Sequence, residues 1–398
     1  MLIGVVGKAN VGKSTFFKAA TLAEAEIANY PFTTIEKNEG VGFVRVDCVD
    51  KEFGIDCKPK FGYCIKNNRF VPVHMIDVAG LVPGAHLGKG RGNQFLDDLR
   101  QADVLIHVID ISGGTNAQGE VIEPLSYDPA EDVRFLEEEI DMWFFGILKK
   151  PWGRFSKQLK QEGKEIEKEI TKQFSGLKIE EGSVREAIER LNLDKDAYKW
   201  TEEQLKQFAT LLRKKSKPMI IAANKIDVPG TEKNLEKLKR EFPECIIIPC
   251  SAESELALKE AAKHNLIEYI PGENNFRMIN ENKLNEKQKN ALDFIKEDIL
   301  EKYGTTGVQD VLNDAVFKLL KYIAVFPVAT AKLTDKDGNP LPDCFLIPEK
   351  STALEFAFKV HTDIGENFIK AADLKTKKVI GKESTLKHLD VIEIMTKR

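Results

Sequence analysis

The sequence predicts an α/β fold: a doubly wound sheet of the P-loop NTPase kind, with a helical insertion and a separate small α+β domain at the C-terminus. Three observations predict it. Apolar strand segments recur at 2–6, 41–46, 70–76, 104–110, 218–224 and 245–250, and helical patterns separate most of them, which is the texture of a sheet covered on both faces. The first strand runs directly into Gly7-Lys8-Ala9-Asn10-Val11-Gly12-Lys13-Ser14, and a helical pattern follows over 14–22. After Phe326-Pro327 the texture changes to short strands and turns.

The loop after the first strand matches G-x-x-x-x-G-K-S, the pattern that cradles phosphates. Its glycines let successive N–H groups point inward at an anion, and the following helix N-terminus adds positive potential. Gly7, Asn10, Val11, Gly12, Lys13, Ser14 and Thr15 are therefore the candidate phosphate contacts. Lys13 is the compact charge for the β- and γ-phosphates, and the Ser14 hydroxyl is a ligand for Mg²⁺. The strand candidate at 70–76 leads into Asp77-Val78-Ala79-Gly80. Asp77 suits Mg²⁺ through water, and the Gly80 N–H suits the γ-phosphate. Between these motifs lies Tyr30-Pro31-Phe32-Thr33-Thr34, where Thr34 could close on Mg²⁺ when the γ-phosphate is present. Lys13, Thr34 and Gly80 are the candidate catalytic groups. Ser14, Thr34 and Asp77 are the candidate metal ligands.

The nucleotide base is read further on. Asn224-Lys225-Ile226-Asp227 follows the strand at 218–224. The Asp227 carboxylate can accept from both N1–H and the C2 amino group of guanine, whereas adenine would leave it unpaired. Asn224 can serve N7 and tie the loop to the phosphate site, and the stem of Lys225 can lie along the base. Ser251-Ala252-Glu253 follows the next strand, where backbone N–H groups can meet guanine O6.

The region 117–215 is mostly helical in pattern and too long for one crossover, so it reads as an insertion. Residues 149–175 carry eight Lys+Arg against four Glu, with Trp152 and Phe155 among them, a candidate RNA-facing surface. A second helical stretch is expected over 284–324. The expected domains are thus 1–116, the insertion 117–215, a second part of the sheet domain at 216–325, and 326–398. In the last, two strands are expected around Asp337-Gly338-Asn339-Pro340. A helix followed by irregular chain is expected over 352–373, and a strand near the end.

Composition bounds the partners. The 398 residues are 42% hydrophobic and 31% charged, enough for two or three soluble domains. A net charge of −4 excludes a global polyanion binder, so no DNA partner is expected and any nucleic-acid surface is local. No apolar run approaches a membrane span, and no signal-peptide layout opens the chain. Six scattered cysteines without C-x-x-C spacing predict reduced thiols in the cytoplasm. The spacing of Cys48, Cys57 and Cys64 offers no ligand pair.

In this order and spacing the motifs resemble a G protein. YPFTT, DVAGLVPGAHLGKGRGNQFL and the tail from about 304 resemble the Obg superfamily of GTPases, nearest its YchF-like branch. The last domain, with KVHTDIGENFIKA and LKHLDVIEI, looks like a TGS domain, a β-grasp module. The resemblance implies a slow, Mg²⁺-dependent GTP-to-GDP switch acting on the ribosome or RNA in translation. The YchF branch proper has an altered base motif and prefers ATP. This chain keeps Asn224-Lys225-x-Asp227, which favours GTP and leaves a YchF-type ATPase as the alternative, alongside a GTP-gated RNA-binding module with incidental hydrolysis. Where Ras-type proteins orient water with glutamine, this chain has Leu81, and His86 lies in the glycine-rich stretch beyond it. Asn10 stands where related proteins ligate K⁺, whose charge could replace an arginine finger.

Overall fold

A computed structural model describes residues 1–22, 38–78, 92–329, 332–335 and 337–397. The chain begins with β1 (Leu2–Val6), α1 (Lys13–Thr21), β2 (Glu39–Asp47), α2 (Asp50–Phe53), β3 (Tyr63–Ile65), β4 (Asn68–Asp77), α3 (Gly92–Gln101) and β5 (Val104–Asp110). Four helices follow: α4 (Ala130–Glu162), α5 (Ile166–Gln173), α6 (Glu181–Arg190) and α7 (Glu202–Ser216). Then come β6 (Met219–Asn224), α8 (Glu232–Glu241), β7 (Ile247–Cys250), α9 (Ala252–Lys263), β8 (Ile267–Tyr269) and β9 (Phe276–Met278). Helices α10 (Glu286–Phe294), α11 (Glu301–Tyr303) and α12 (Val308–Asn313) lead to β10 (Tyr322–Val328) and β11 (Phe345–Pro348). The chain ends with α13 (Ala353–Val360), α14 (Thr362–Glu366), β12 (Phe368–Asp373), β13 (Lys378–Ile380) and β14 (Val391–Thr396). Packing divides it into two compact units, Met1–Phe17 with Met75–Glu253, and Lys18–His74 with Ser254–Arg398.

In the first unit β1, β5, β6 and β7 pair in parallel, with Ile3 opposite Val104, Asp110 opposite Asn224 and Asn224 opposite Cys250. The end of β4 lies beside β1, and the Val78 N–H donates to the Val5 carbonyl at 3.0 Å. Every residue of β5 is buried, as expected of a central parallel strand covered on both faces. The carboxyl ends of β1, β4, β6 and β7 each lead into one of the sequence motifs, the place where such sheets bind ligands.

Helices α4 to α7 share the core of this sheet. Leu136, Ile140, Phe144 and Leu148 of α4 join Leu99 and Leu105 in one apolar cluster that continues to Trp152, Trp200 and Phe208. Trp152 is stacked on Trp200 with centroids 5.2 Å apart, and Phe155 sits edge-on to Phe174 at 5.9 Å. These aromatics are core and second-layer packing, which corrects the expectation that Trp152 and Phe155 offer stacking faces to RNA. Four of the eight cations in this stretch are also held in ion pairs: Lys149 with Glu202, Lys160 with Asp196, Lys164 with Glu162 and Lys168 with Glu165.

In the second unit β3 pairs antiparallel with β4, Tyr63 opposite Phe70, and β2 lies along the other side of β4. The C-terminal sheet has the order β11-β10-β14-β12-β13, with β10 and β14 parallel. Phe356 and Ala353 of α13 pack on it with Val325, Ile347 and Ile392. The helix expected to run on to 324 ends earlier. Lys321 turns the backbone at φ 54°, and Ile323–Val328 is buried as a strand. Residues 368–373, expected to be irregular, form β12, whose sequence FIKAAD does not alternate apolar and polar residues. Strands β10 and β11 do pair, Tyr322 opposite Pro348, but through a long connection in which Thr334 bridges Pro340.

Candidate functional site

The loop from Gly7 to Ser14 is shaped by close approaches. Gly12 has φ 88°, and a Cβ there would stand 2.3 Å from Asn224 Nδ2; at Gly7 it would stand 2.5 Å from the Val108 carbonyl oxygen. Neither site can carry a side chain without moving its neighbour. Helix α1 starts with the Phe16 N–H donating to the Gly12 carbonyl at 2.8 Å. The N–H groups before Phe16, those of Lys13, Ser14 and Thr15, precede the first helical bond and can serve an anion.

Lys8 and Asn10 anchor the loop on its other side. The buried Lys8 ammonium donates to Asp132 Oδ1 at 2.8 Å and to the Thr115 carbonyl at 3.0 Å, and lies 4.1 Å from the centre of the Tyr127 ring. Tyr127 donates to the same carboxylate oxygen at 3.1 Å. Asn10, at φ 60°, donates from Nδ2 to the Gly119 carbonyl at 2.9 Å.

Lys13 Nζ lies 3.0 Å from Asp77 Oδ1 and also donates to the Val78 carbonyl. The exposed Ser14 hydroxyl is 3.5 Å from Asp77 Oδ2. Lys13 and Ser14 thus meet the sequence-distant Asp77 at the ends of β1 and β4.

Asn224 joins the phosphate loop to the other strand ends. Its Nδ2 donates to the Val11 carbonyl at 2.9 Å, and its Oδ1 accepts from the Ala252 N–H at 3.0 Å. Lys225, at φ 67°, donates to the Asn10 carbonyl and to Asp110 Oδ2, each at 2.8 Å. The Ile226 N–H reaches the Cys250 carbonyl at 3.1 Å. Asp227 is half-buried and takes none of these bonds; Ser251 and Ala252 are buried, and Glu253 is exposed. Thr34, Gly80, Leu81 and His86 lie outside the described residues.

Sequence reasoning missed two supports. Asp110 is 1% exposed and accepts from Lys225, Ser112 and Thr115. A carboxylate closing the apolar run VLIHVID was the available signal. Lys8 looked like a filler position in the loop, and nothing local marks its partner Asp132.

A phosphate-type loop between strand and helix, an acidic strand end beside it, and a polar strand end locked to it through Asn224 define a P-loop nucleotide-binding protein of the G-domain class. Family comparisons agree. Residues 2–139 match the 50S ribosome-binding GTPase family, 222–330 the G4 motif-containing domain of Obg-like YGR210-like GTPases, and 332–396 the TGS domain. The chain is 52% identical to a GTP-binding protein of Methanocaldococcus jannaschii, over 99% of each chain. It is 32% identical to the ribosome-binding ATPase YchF of Bacillus subtilis, over 66% of this chain and 69% of that one. A crystal structure of a GTP-binding protein from Pyrococcus horikoshii superposes over the full length of both chains with a TM-score of 0.80 at 40% identity. The chain belongs to the Obg-like family of GTP-binding proteins, P-loop nucleotide hydrolases, and carries a C-terminal TGS domain.

Among the described residues no helix is long and apolar enough to cross a membrane.

Proposed function

We propose that this chain binds GTP with Mg²⁺ and hydrolyses it slowly to GDP and phosphate, as a cytoplasmic switch acting on the ribosome. The observation that carries the reading is Asn224, whose single side chain holds the phosphate loop at Val11 and the base-side loop at Ala252. The base-side and phosphate loops are then tied together by one residue, with Asp227 three residues beyond it.

In this reading Gly7 to Thr15 wrap the phosphates and Lys13 leaves Asp77 for the β- and γ-oxygens. Ser14 and Asp77 offer hard oxygen donors near one another, a set that suits Mg²⁺. The ion, when bound, offsets charge on the phosphates. Thr34 and Gly80 complete the site in the nucleotide-bound state. Asp227 and Lys225 read guanine, and the N–H groups of 251–253 meet O6. Leu81 cannot polarise water, which supports a low intrinsic rate. Asn10 Oδ1 is the candidate K⁺ ligand, its amide nitrogen already fixed by Gly119.

Ribosome or RNA contact is supported by the names of relatives and by the TGS domain. Exposed Lys370, Lys377 and Lys378 lie on or beside β12 and the edge strand β13, a local basic edge on a chain of net negative charge. The YchF-type ATPase reading has the B. subtilis relative in its favour and Asp227 against it.

Asp227→Asn tests the base assignment. The variant is expected to lose GTP affinity and gain affinity for xanthosine triphosphate, because xanthine presents a carbonyl where guanine presents an amino group. Unchanged GTP preference would remove Asp227 from the base site.

A further inference from the structure

We propose that Cys48, Asp50, Cys57 and Cys64 form a structural zinc site, separate from the nucleotide site. One ligand atom from each of the four lies within 4.8 Å of all the others. Cys48 Sγ and Cys57 Sγ are 3.6 Å apart, and Cys64 Sγ is 3.8 Å from Asp50 Oδ2. The edge of a tetrahedron with zinc–sulfur bonds of ~2.3 Å is ~3.8 Å. A disulfide would need ~2.0 Å. The four residues come from four places: the turn just after β2, the start of α2, the loop beyond it, and β3. Their spacing in sequence hides the set, and only the fold assembles it.

The surroundings suit a bound dication. Cys48 and Asp50 are buried, 4% and 3% exposed. Asn67 donates to Asp50 Oδ1 at 3.0 Å, which orients the carboxylate and leaves Oδ2 toward the sulfurs. Outer partners of this kind fix metal ligands. Three thiolates and a carboxylate around Zn²⁺ carry two excess negative charges. The Arg69 guanidinium, 1% exposed, supplies a buried positive charge close to the set. Sulfur-rich tetrahedral sets select zinc over hard cations.

The site would also explain how residues 54–62 keep their shape. They form no helix or strand, and their side chains are half-buried or exposed. A loop so poor in core gains order from a metal staple. Its product is an ordered docking edge: the N–H groups of Lys58 and Lys60 donate to the carbonyls of Pro340 and Pro342 at 2.9 and 2.8 Å. Arg69 reaches the Leu341 and Pro342 carbonyls at 3.1 and 2.6 Å. The zinc ion thus braces the contact between the β3–β4 hairpin region and the first loop of the TGS domain.

The test is metal content of the full chain, purified with reductant and without chelator. One zinc per chain is expected by mass spectrometry. Replacing it with Co²⁺ should give sulfur-to-cobalt charge transfer of three-thiolate intensity and the strong visible bands of tetrahedral cobalt. Cys57→Ser/Cys64→Ser should drop the zinc to about a tenth or less, while Ser14→Ala, at the nucleotide site, should leave it unchanged. Should the double variant fail to fold, the cobalt spectrum of the unaltered chain decides alone. A chain that holds no zinc and gives no sulfur-to-cobalt band overturns the proposal. So does a disulfide among these cysteines in the freshly isolated protein.

Discussion

Replacing Asn224 by alanine removes two hydrogen bonds with one side chain. Asn224 is 3% exposed, and its bonds to the Val11 carbonyl and the Ala252 N–H are 2.9 and 3.0 Å long. Alanine orphans both backbone groups. Each unsatisfied buried group costs about 1–3 kcal/mol. Alanine leaves room for water to recover part of this, and about 2–3 kcal/mol remains for the pair. At 1.4 kcal/mol per tenfold this weakens nucleotide binding by about 30- to 150-fold. The cost falls on binding because the bonds fix the base-side loop against the phosphate loop. Titration with fluorescent GDP gives the affinity, and the urea midpoint gives stability. Asn224→Asp is the companion variant: it keeps an acceptor for Ala252 but sets a carboxylate against the Val11 carbonyl, and should lose affinity too. A GDP affinity within about threefold of the parent, in a folded Asn224→Ala protein, would refute the coupling.

Three other variants probe neighbouring parts. Lys13→Ala should lose about 1.5–3 kcal/mol of triphosphate affinity for each charged hydrogen bond removed, read by the same titration with a GTP analogue. Lys8→Met strands the Asp132 carboxylate in the interior and should cost about 3–5 kcal/mol of stability, read in the urea midpoint, with partial recovery in Lys8→Met/Asp132→Leu. Burial and the nearby Lys8 charge pull the His107 imidazole down to about 3, below its unfolded value. The unfolded chain therefore takes the proton first, and stability falls as pH drops from about 6.5 toward 3, by about 1.4 kcal/mol per unit. His107→Leu should flatten that acid limb in pH-dependent unfolding; an unchanged limb would assign the loss to other groups.

What was legible in the sequence was what the chain holds locally. Gly7 to Ser14 is one contiguous loop, and its strand and helix flank it directly. Buried parallel strands such as VLIHVID read as unbroken apolar runs because both their faces are covered. Asn224 was recognisable from its place at a strand end, although its two partners lie in other segments. The rest depends on tertiary packing. Trp152 and Phe155 sit in a basic stretch that looks RNA-facing until Trp200 and Phe174 cover them. YIAVFPV follows a helix with no Gly or Pro break, and only the left-handed turn at Lys321 separates the two. Cys48, Cys57 and Cys64 are spaced like unrelated thiols, yet a hairpin and a short helix bring their sulfurs together. Lys8 gives no sign of its partner more than a hundred residues away.

The central claim is that the strand ends gathered by Asn224 read guanine. The direct test is equilibrium competition of GTP, GDP, ATP and ADP for the purified chain, with Mg²⁺ and K⁺ present. Strong preference for both guanine nucleotides is the expected result. Preference for adenine nucleotides, or none, would mean that Asp227 does not reach the base, and it would contradict the claim.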